Sequence, residues 1–156
     1  MASVDVTVRG AGIFGLSVAW ACVRRGARVR VVDPNGPGAG SSGGIVGALA
    51  PHVPENWNEK KAFQLDSLLM AGAYWAEVHD TGGVSAGYAR TGRLQPLADD
   101  HAVALALDRA AGAATLWQGR AVWKVVAQDA AGGFAPASPT DKLIHDTLTA
   151  RMCRRR

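Results

Sequence analysis

Cysteine is nearly absent from this sequence. Cys22 and Cys153 are its only two, too few for a disulfide framework and too far apart for a metal-ligand spacing. Histidine is also sparse, and none of His52, His79, His101 and His145 has a partner at ligand spacing, so no metal is expected. No apolar run approaches the roughly 20 residues of a membrane span. The opening Met-Ala-Ser-Val-Asp-Val has neither a basic nor an apolar leader region. The expectation is a soluble, cytoplasmic chain with no membrane partner. A surplus of one charge is missing from the body as well. The formal +4 comes from 17 basic against 13 acidic residues, and Arg151, Arg154, Arg155 and Arg156 carry the excess at the C-terminal end. That distribution argues against a nucleic-acid footprint.

Apolar residues and glycine are abundant. A hydrophobic content of 48% is ample for a packed core. More than half of the 19 glycines fall before position 50, where backbone that must approach a ligand is expected.

Val4, Val6 and Val8 alternate with Asp5 and Thr7 and run into Gly10, the pattern of a strand feeding a turn. Residues 13–25 predict a helix that ends at Gly26, and 28–33 predict a second strand ending in Asp33. Residues 34–55, with six glycines and four prolines, predict a long ordered loop. A helix is expected over about 57–79, with Leu65, Leu68, Leu69, Ala73 and Ala76 as its apolar stripe. Gly82 and Gly83 end it. A hairpin is expected over 87–97 around Gly92, and then a helix capped by Asp99 or Asp100, with Val103, Leu107, Ala110 and Ala111 facing inward. Residues 116–127 suit one strand or two. Thr140 is expected to cap a last helix ending near Arg151.

Gly10-Ala11-Gly12-Ile13-Phe14-Gly15 spells G-x-G-x-x-G between the first strand and the first helix. Gly10 suits the tight turn, Gly12 the close approach of a pyrophosphate, and Gly15 close packing of helix on strand. A diphosphate would rest on the free N–H groups of the helix N-terminus. Asp33, about 20 residues on, suits the adenosine ribose hydroxyls. Together they form a Rossmann-like βαβ unit. Arg9 departs from the pattern: a charged residue stands where this fold usually buries an aliphatic one, and its head must find solvent or a partner.

The run Gly40, Ser41, Ser42, Gly43, Gly44, then Gly47, Ala48, Leu49, Ala50 and Pro51, resembles the D-amino-acid oxidase family of flavoproteins. That family includes glycine oxidase, sarcosine oxidase and the oxidase half of the bifunctional tRNA wobble-uridine enzyme. The resemblance extends more loosely through Gly92, Leu94, Leu97, Ala98 and Asp99 to Gly133-Phe134-Ala135-Pro136.

It implies an FAD-binding α/β unit over 1–55, part of a mixed α+β substrate lobe over 56–138, and a return helix with a basic tail over 139–156. It also implies oxidation of an amine or amino acid to an imine, with dioxygen as electron acceptor. By family match Gly10, Gly12, Ile13, Phe14, Gly15 and Asp33 hold the ADP half of FAD. Ser41, Ser42 and Gly43 approach the pyrophosphate, and Gly47 and Ala48 pass the isoalloxazine ring. No catalytic residue carries over.

Two parallel strands and one helix leave a sheet uncovered. The expectation is therefore a truncated frame or fragment that binds FAD weakly and does not turn over. An NAD-linked dehydrogenase and a non-catalytic nucleotide-binding remnant are the alternatives. His52 could touch the ring or lie exposed on its loop. Trp57, Trp75, Trp117 and Trp123 could form an aromatic cage or fill a core.

Overall fold

A computed structural model describes residues 3–44 and 46–153, and the arginines at 154–156 of the expected basic tail lie outside the described residues. The chain divides into two compact units, Met1–Gly47 and Ala48–Arg156. The division falls earlier than the boundary expected near residue 55.

In the first unit, β1 (Val6–Arg9) and β2 (Val29–Val32) are parallel, with Val6 opposite Val29 and Arg9 opposite Val32. The crossover is α1 (Ile13–Val23), followed by Gly26 at φ +85°, a conformation that favours glycine. Its short contact-making residue Ala19 is buried, whereas Phe14, Leu16, Val18 and Val23 are exposed. Arg9 is exposed, so its guanidinium meets water and the departure from pattern costs no buried charge. A bidentate pair from Arg28 to Asp5 at 2.8 and 3.1 Å ties the start of β2 beside the start of β1. The long loop contains one 3-10 turn, Ser41–Gly43. It runs into β3 (Val46–Leu49), which straddles the division between the units.

The second unit packs α2 (Glu59–Gly82) and α3 (Asp100–Leu116) with short strands in antiparallel pairs. Asn58 caps α2 by accepting from the Lys61 amide, and Gly83, at φ +66°, closes it. The α2 stripe buries Leu65, Leu68 and Ala71, while the expected Ala73 and Ala76 are exposed. Asp99 caps α3 through the Ala102 amide. That helix turns Val103, Ala106 and Ala113 inward and leaves Leu107 and Ala111 outside. Leu116 ends α3, so the expected strand region narrows to β6 (Trp123–Ala127).

Two expectations fail here. The hairpin over 87–97 is not a hairpin. β4 (Tyr88–Arg90) pairs with β8 (Ala150–Cys153), and β5 (Arg93–Pro96) pairs with β7 (Lys142–Asp146). The helix expected from Thr140 is absent, because β7 and β8 occupy its sequence. β7 is the middle strand of β5-β7-β6, with hydrogen-bonded partners on both sides, and that pairing overrides the local capping signal. Arg90 stands opposite Ala150 and Arg93 opposite Asp146, so two residues on one side face three on the other. The result is a bulged bend in one ribbon.

Asp146, wholly buried, holds that bend. Its carboxylate accepts from the Leu148 and Thr149 amides at 3.2 and 2.7 Å, from the Thr149 hydroxyl at 3.0 Å and from Arg93 Nε at 3.0 Å. Gly92 is required opposite, since a Cβ there would stand 2.7 Å from the Asp146 carbonyl oxygen. Beneath the bend Trp117 and Trp123 meet edge to face at 6.1 Å within a cluster that includes Leu65, Leu97, Val103, Ile144 and Leu148. Of the cage-or-core alternatives, these two tryptophans take the core.

Candidate functional site

The first unit's parallel pair ends in a bend held almost entirely by backbone. The Gly10 amide donates to the Val32 carbonyl at 2.8 Å, carrying the ladder one step past the strands, and Gly10 then turns at φ +106°. The Ala11 amide donates to Asp33 Oδ2 at 2.8 Å, and the Ala11 carbonyl accepts from the Gly38 amide at 2.9 Å. Gly12 begins α1 in extended conformation with no side-chain cap. The Ile13 amide, among the first left without a helical acceptor, donates to Ser42 Oγ at 3.0 Å.

Each glycine of the motif meets a different constraint. A Cβ on Gly15 would collide with the Gly10 carbonyl oxygen, so the helix approaches the bend only because that position is bare. A Cβ on Gly12 would stand 3.2 Å from Ser42 Oγ, narrowing the space over the helix start. Gly43 is similarly constrained by the Gly38 carbonyl oxygen. Phe14 points outward, 88% exposed.

Asp33 receives further donors from its own loop. The Asn35 amide donates to Oδ1 at 2.9 Å. The amides of Ala11 and then Asn35 hold its carboxyl below the ordinary aspartate value, with a lesser contribution from Gly36. Every lone pair used so far belongs to a backbone N–H contact. A carboxylate oxygen has room for a second donor, so the group can still accept hydroxyls.

The structure therefore brings Gly10, Gly12, Ile13, Gly15, Asp33 and Ser42 into one bend. Ser41 is exposed in the adjoining 3-10 turn, and Gly47 and Ala48 lie exposed in β3. Sequence reasoning missed Ala11, Asn35 and Gly38, whose contribution is main-chain only. The Asp-Pro-Asn-Gly run was the available signal for the Asn35 turn.

A glycine bend at the end of a parallel strand, a helix start whose N-cap Gly12 offers no side chain, and an acid at the end of the next strand make a cradle for a diphosphate and its sugar. The family model for FAD-dependent oxidoreductases, DAO, matches residues 5–155. The chain belongs to that family. FAD, rather than NAD, is the cofactor the family description names, and the bare approach at Gly12 and Gly15 fits such a dinucleotide.

Over 64 residues the chain is 42% identical to the tRNA 5-methylaminomethyl-2-thiouridine biosynthesis bifunctional protein MnmC of Chromohalobacter salexigens, covering 41% of this chain and 9% of that protein. Over 96 residues it is 38% identical to a protein assigned as the thiamine biosynthesis oxidoreductase ThiO of Rhizobium etli, covering 57% of this chain and 29% of that one. Among solved structures, glycine oxidase from Bacillus cereus matches with a TM-score of 0.73 at 18% identity, covering 96% of this chain and 41% of the other. L-Amino acid deaminase from Proteus myxofaciens matches with a TM-score of 0.72 at 16% identity, covering 98% and 34%. These likenesses establish the fold, and the chain spans well under half the length of each of these relatives.

In the second unit, the segment after β3 is tied down by polar contacts. The His52 amide donates to Gln64 Oε1 at 2.8 Å, and Arg109 makes a bidentate pair with Glu55 at 2.8 Å. Lys61 Nζ donates to the Glu55 carbonyl. Arg109 holds the Glu55 carboxyl below its ordinary value. His52 itself is half-buried. Among the described residues no group of three histidine, cysteine or acidic side chains is placed to hold a metal, and no helix is long and apolar enough to cross a membrane.

Proposed function

We propose that this chain carries the ADP-side half of the FAD site of an amine or amino-acid oxidase. The observation that carries the proposal is the Asp33 carboxylate seated 2.8 Å from the Ala11 amide inside the glycine bend. In this proposal the opening amides of α1 receive the pyrophosphate, and Gly10, Gly12, Ile13, Phe14 and Gly15 supply backbone around it. The ribose hydroxyls donate to Asp33. Ser41, Ser42 and Gly43 close over the phosphates, and Gly47 and Ala48 run beside the isoalloxazine ring.

When bound, FAD supplies the two-electron acceptor for dehydrogenation of a carbon bearing an amine, and this chain's residues bind and orient it. The substrate is a small amine or amino acid, dioxygen reoxidises the cofactor, and the chain acts in the cytoplasm. The glycine oxidase and deaminase relatives support that substrate class by fold. No residue of this chain is assigned as acid or base, so the expectation is FAD binding without turnover.

Titration of the purified chain with FAD and with NAD, followed by flavin fluorescence and by competition, tests the proposal. FAD should bind weakly, and Asp33→Ala should weaken it by about tenfold, the scale of one charge-assisted hydrogen bond. Retention of NAD with no affinity for FAD would overturn it.

A further inference from the structure

The β5-β7-β6 sheet has two unlike faces. One carries Trp123, Ile144 and Asp146 into the core. On the other, Leu94, His145 and Lys124 stand side by side across the three strands, because residues directly opposite in a sheet share a face. That second face floors a cavity of about 680 Å³, within the range of small-molecule sites. Val126 extends the floor, and the loop after β6 brings Pro136 and the fully exposed Phe134 to the rim. The cavity lies wholly within the second unit.

Its chemistry is one-sided. No carboxylate lines it. Among the described residues neither the Lys124 ammonium nor the His145 ring takes part in a hydrogen bond or ion pair, and the two residues stand opposite each other on adjacent strands. An ammonium head beside an imidazole, with Thr91 and Arg93 also in the lining, largely apolar walls and no acid, is complementary to an anion carried on an apolar body. The same arrangement repels an amine, so a zwitterionic amino acid fits it poorly.

We propose that this cavity binds a simple carboxylate with an apolar or aromatic body. The head lies between Lys124 and His145, and the body lies along Leu94 and Val126 under Phe134. This inference does not depend on the dinucleotide proposal.

The test is a titration of the full chain with phenylacetate, phenethyl alcohol, phenylalanine and inorganic phosphate, followed by NMR at the His145 ring and the Lys124 side chain. Phenylacetate should shift both groups in the millimolar range and bind about tenfold more tightly than the alcohol, the difference expected for one charge-assisted contact. Lys124→Gln, a surface change that leaves the core intact, should remove that preference, and Phe134→Ala should weaken phenylacetate while leaving the preference in place. Equal binding of the alcohol or of phenylalanine would overturn the proposal. So would inorganic phosphate matching phenylacetate, since the apolar wall would then contribute nothing. Shifts confined to other residues, or none at all, would also overturn it.

Discussion

In Met1–Gly47 the buried hydrophobic residues among those described are Ala11 and Ala19, whereas Ala48–Arg156 buries Leu65, Leu68, Leu97, Trp117, Trp123, Leu143, Ile144 and Leu148, among others. The first unit holds its shape at the bend through main-chain donors converging on Asp33, Ser42 and the Gly10 turn. The second holds its shape through side chains packed around two tryptophans. Ligand-shaped backbone can thus be specified by glycines and one acid without a core of its own. Apolar positions such as Val31 and Val32 of β2 then remain open, as expected for parallel β-structure that is normally covered on both faces, and so do Phe14 and Val18 on α1. The unit with a legible ligand site is the one with little to bury.

The largest effect should come from breaking the second unit's core. Trp117→Ala removes a wholly buried ring and should cost about 3–5 kcal/mol, read by chemical denaturation. The Asp33–Ala11 contact depends on none of those residues. The Ala11 amide resonance should keep its position in the variant under native conditions; its loss together with the core would show that the bend depends on the second unit.

Gly15→Ala attacks the other side of the comparison. The added Cβ meets backbone at Gly10, which cannot swing aside as a flexible side chain could. Overpacking of this kind costs about 1–3 kcal/mol. It should abolish FAD binding in the titration while leaving the tryptophan environment of the second unit unchanged. Normal FAD affinity in Gly15→Ala would separate the close helix approach from cofactor recognition.

How far the fold was legible follows the same division. The βαβ unit could be read because its signals are local: alternation in β1, glycines at the turn, and an acid at the end of β2. The site residues around the bend came with it, apart from Ala11, Asn35 and Gly38, which contribute only amides and carbonyls that every residue type carries. The second unit was legible where a cap announced a helix, as at Asp99. It was not legible where strands pair across fifty residues. Thr140 and Asp141 imitate a helix start, but Asp141 takes φ +54° and the chain enters β7 between two waiting strands. Nothing local distinguishes a ribbon bent at Asp146 from a hairpin bent at Gly92, because the bulge exists only once both strands are paired.

The smallest effect separates the two units by the source of their electrostatics. Asp33 and Glu55 both have carboxyls held below their ordinary values, 3.8 and 4.5, but by different groups: backbone amides for Asp33 and the Arg109 guanidinium for Glu55. Since each folded-state value lies below the unfolded one, the stabilisation is fully present above the unfolded value. It is lost as pH falls through the folded value. Acid titration of the chain by NMR should therefore show the Ala11 amide keeping its bonded position below pH 3.8 and releasing only at still lower pH. Added salt screens a charge pair more than it screens an amide dipole in contact with its acceptor. Raising the ionic strength should move the Glu55 titration upward toward its ordinary value and leave that of Asp33 nearly in place. Equal movement of both would mean that Asp33 is held by distant charge rather than by the bend, and the contrast between a backbone-built site and a side-chain-built scaffold would no longer stand.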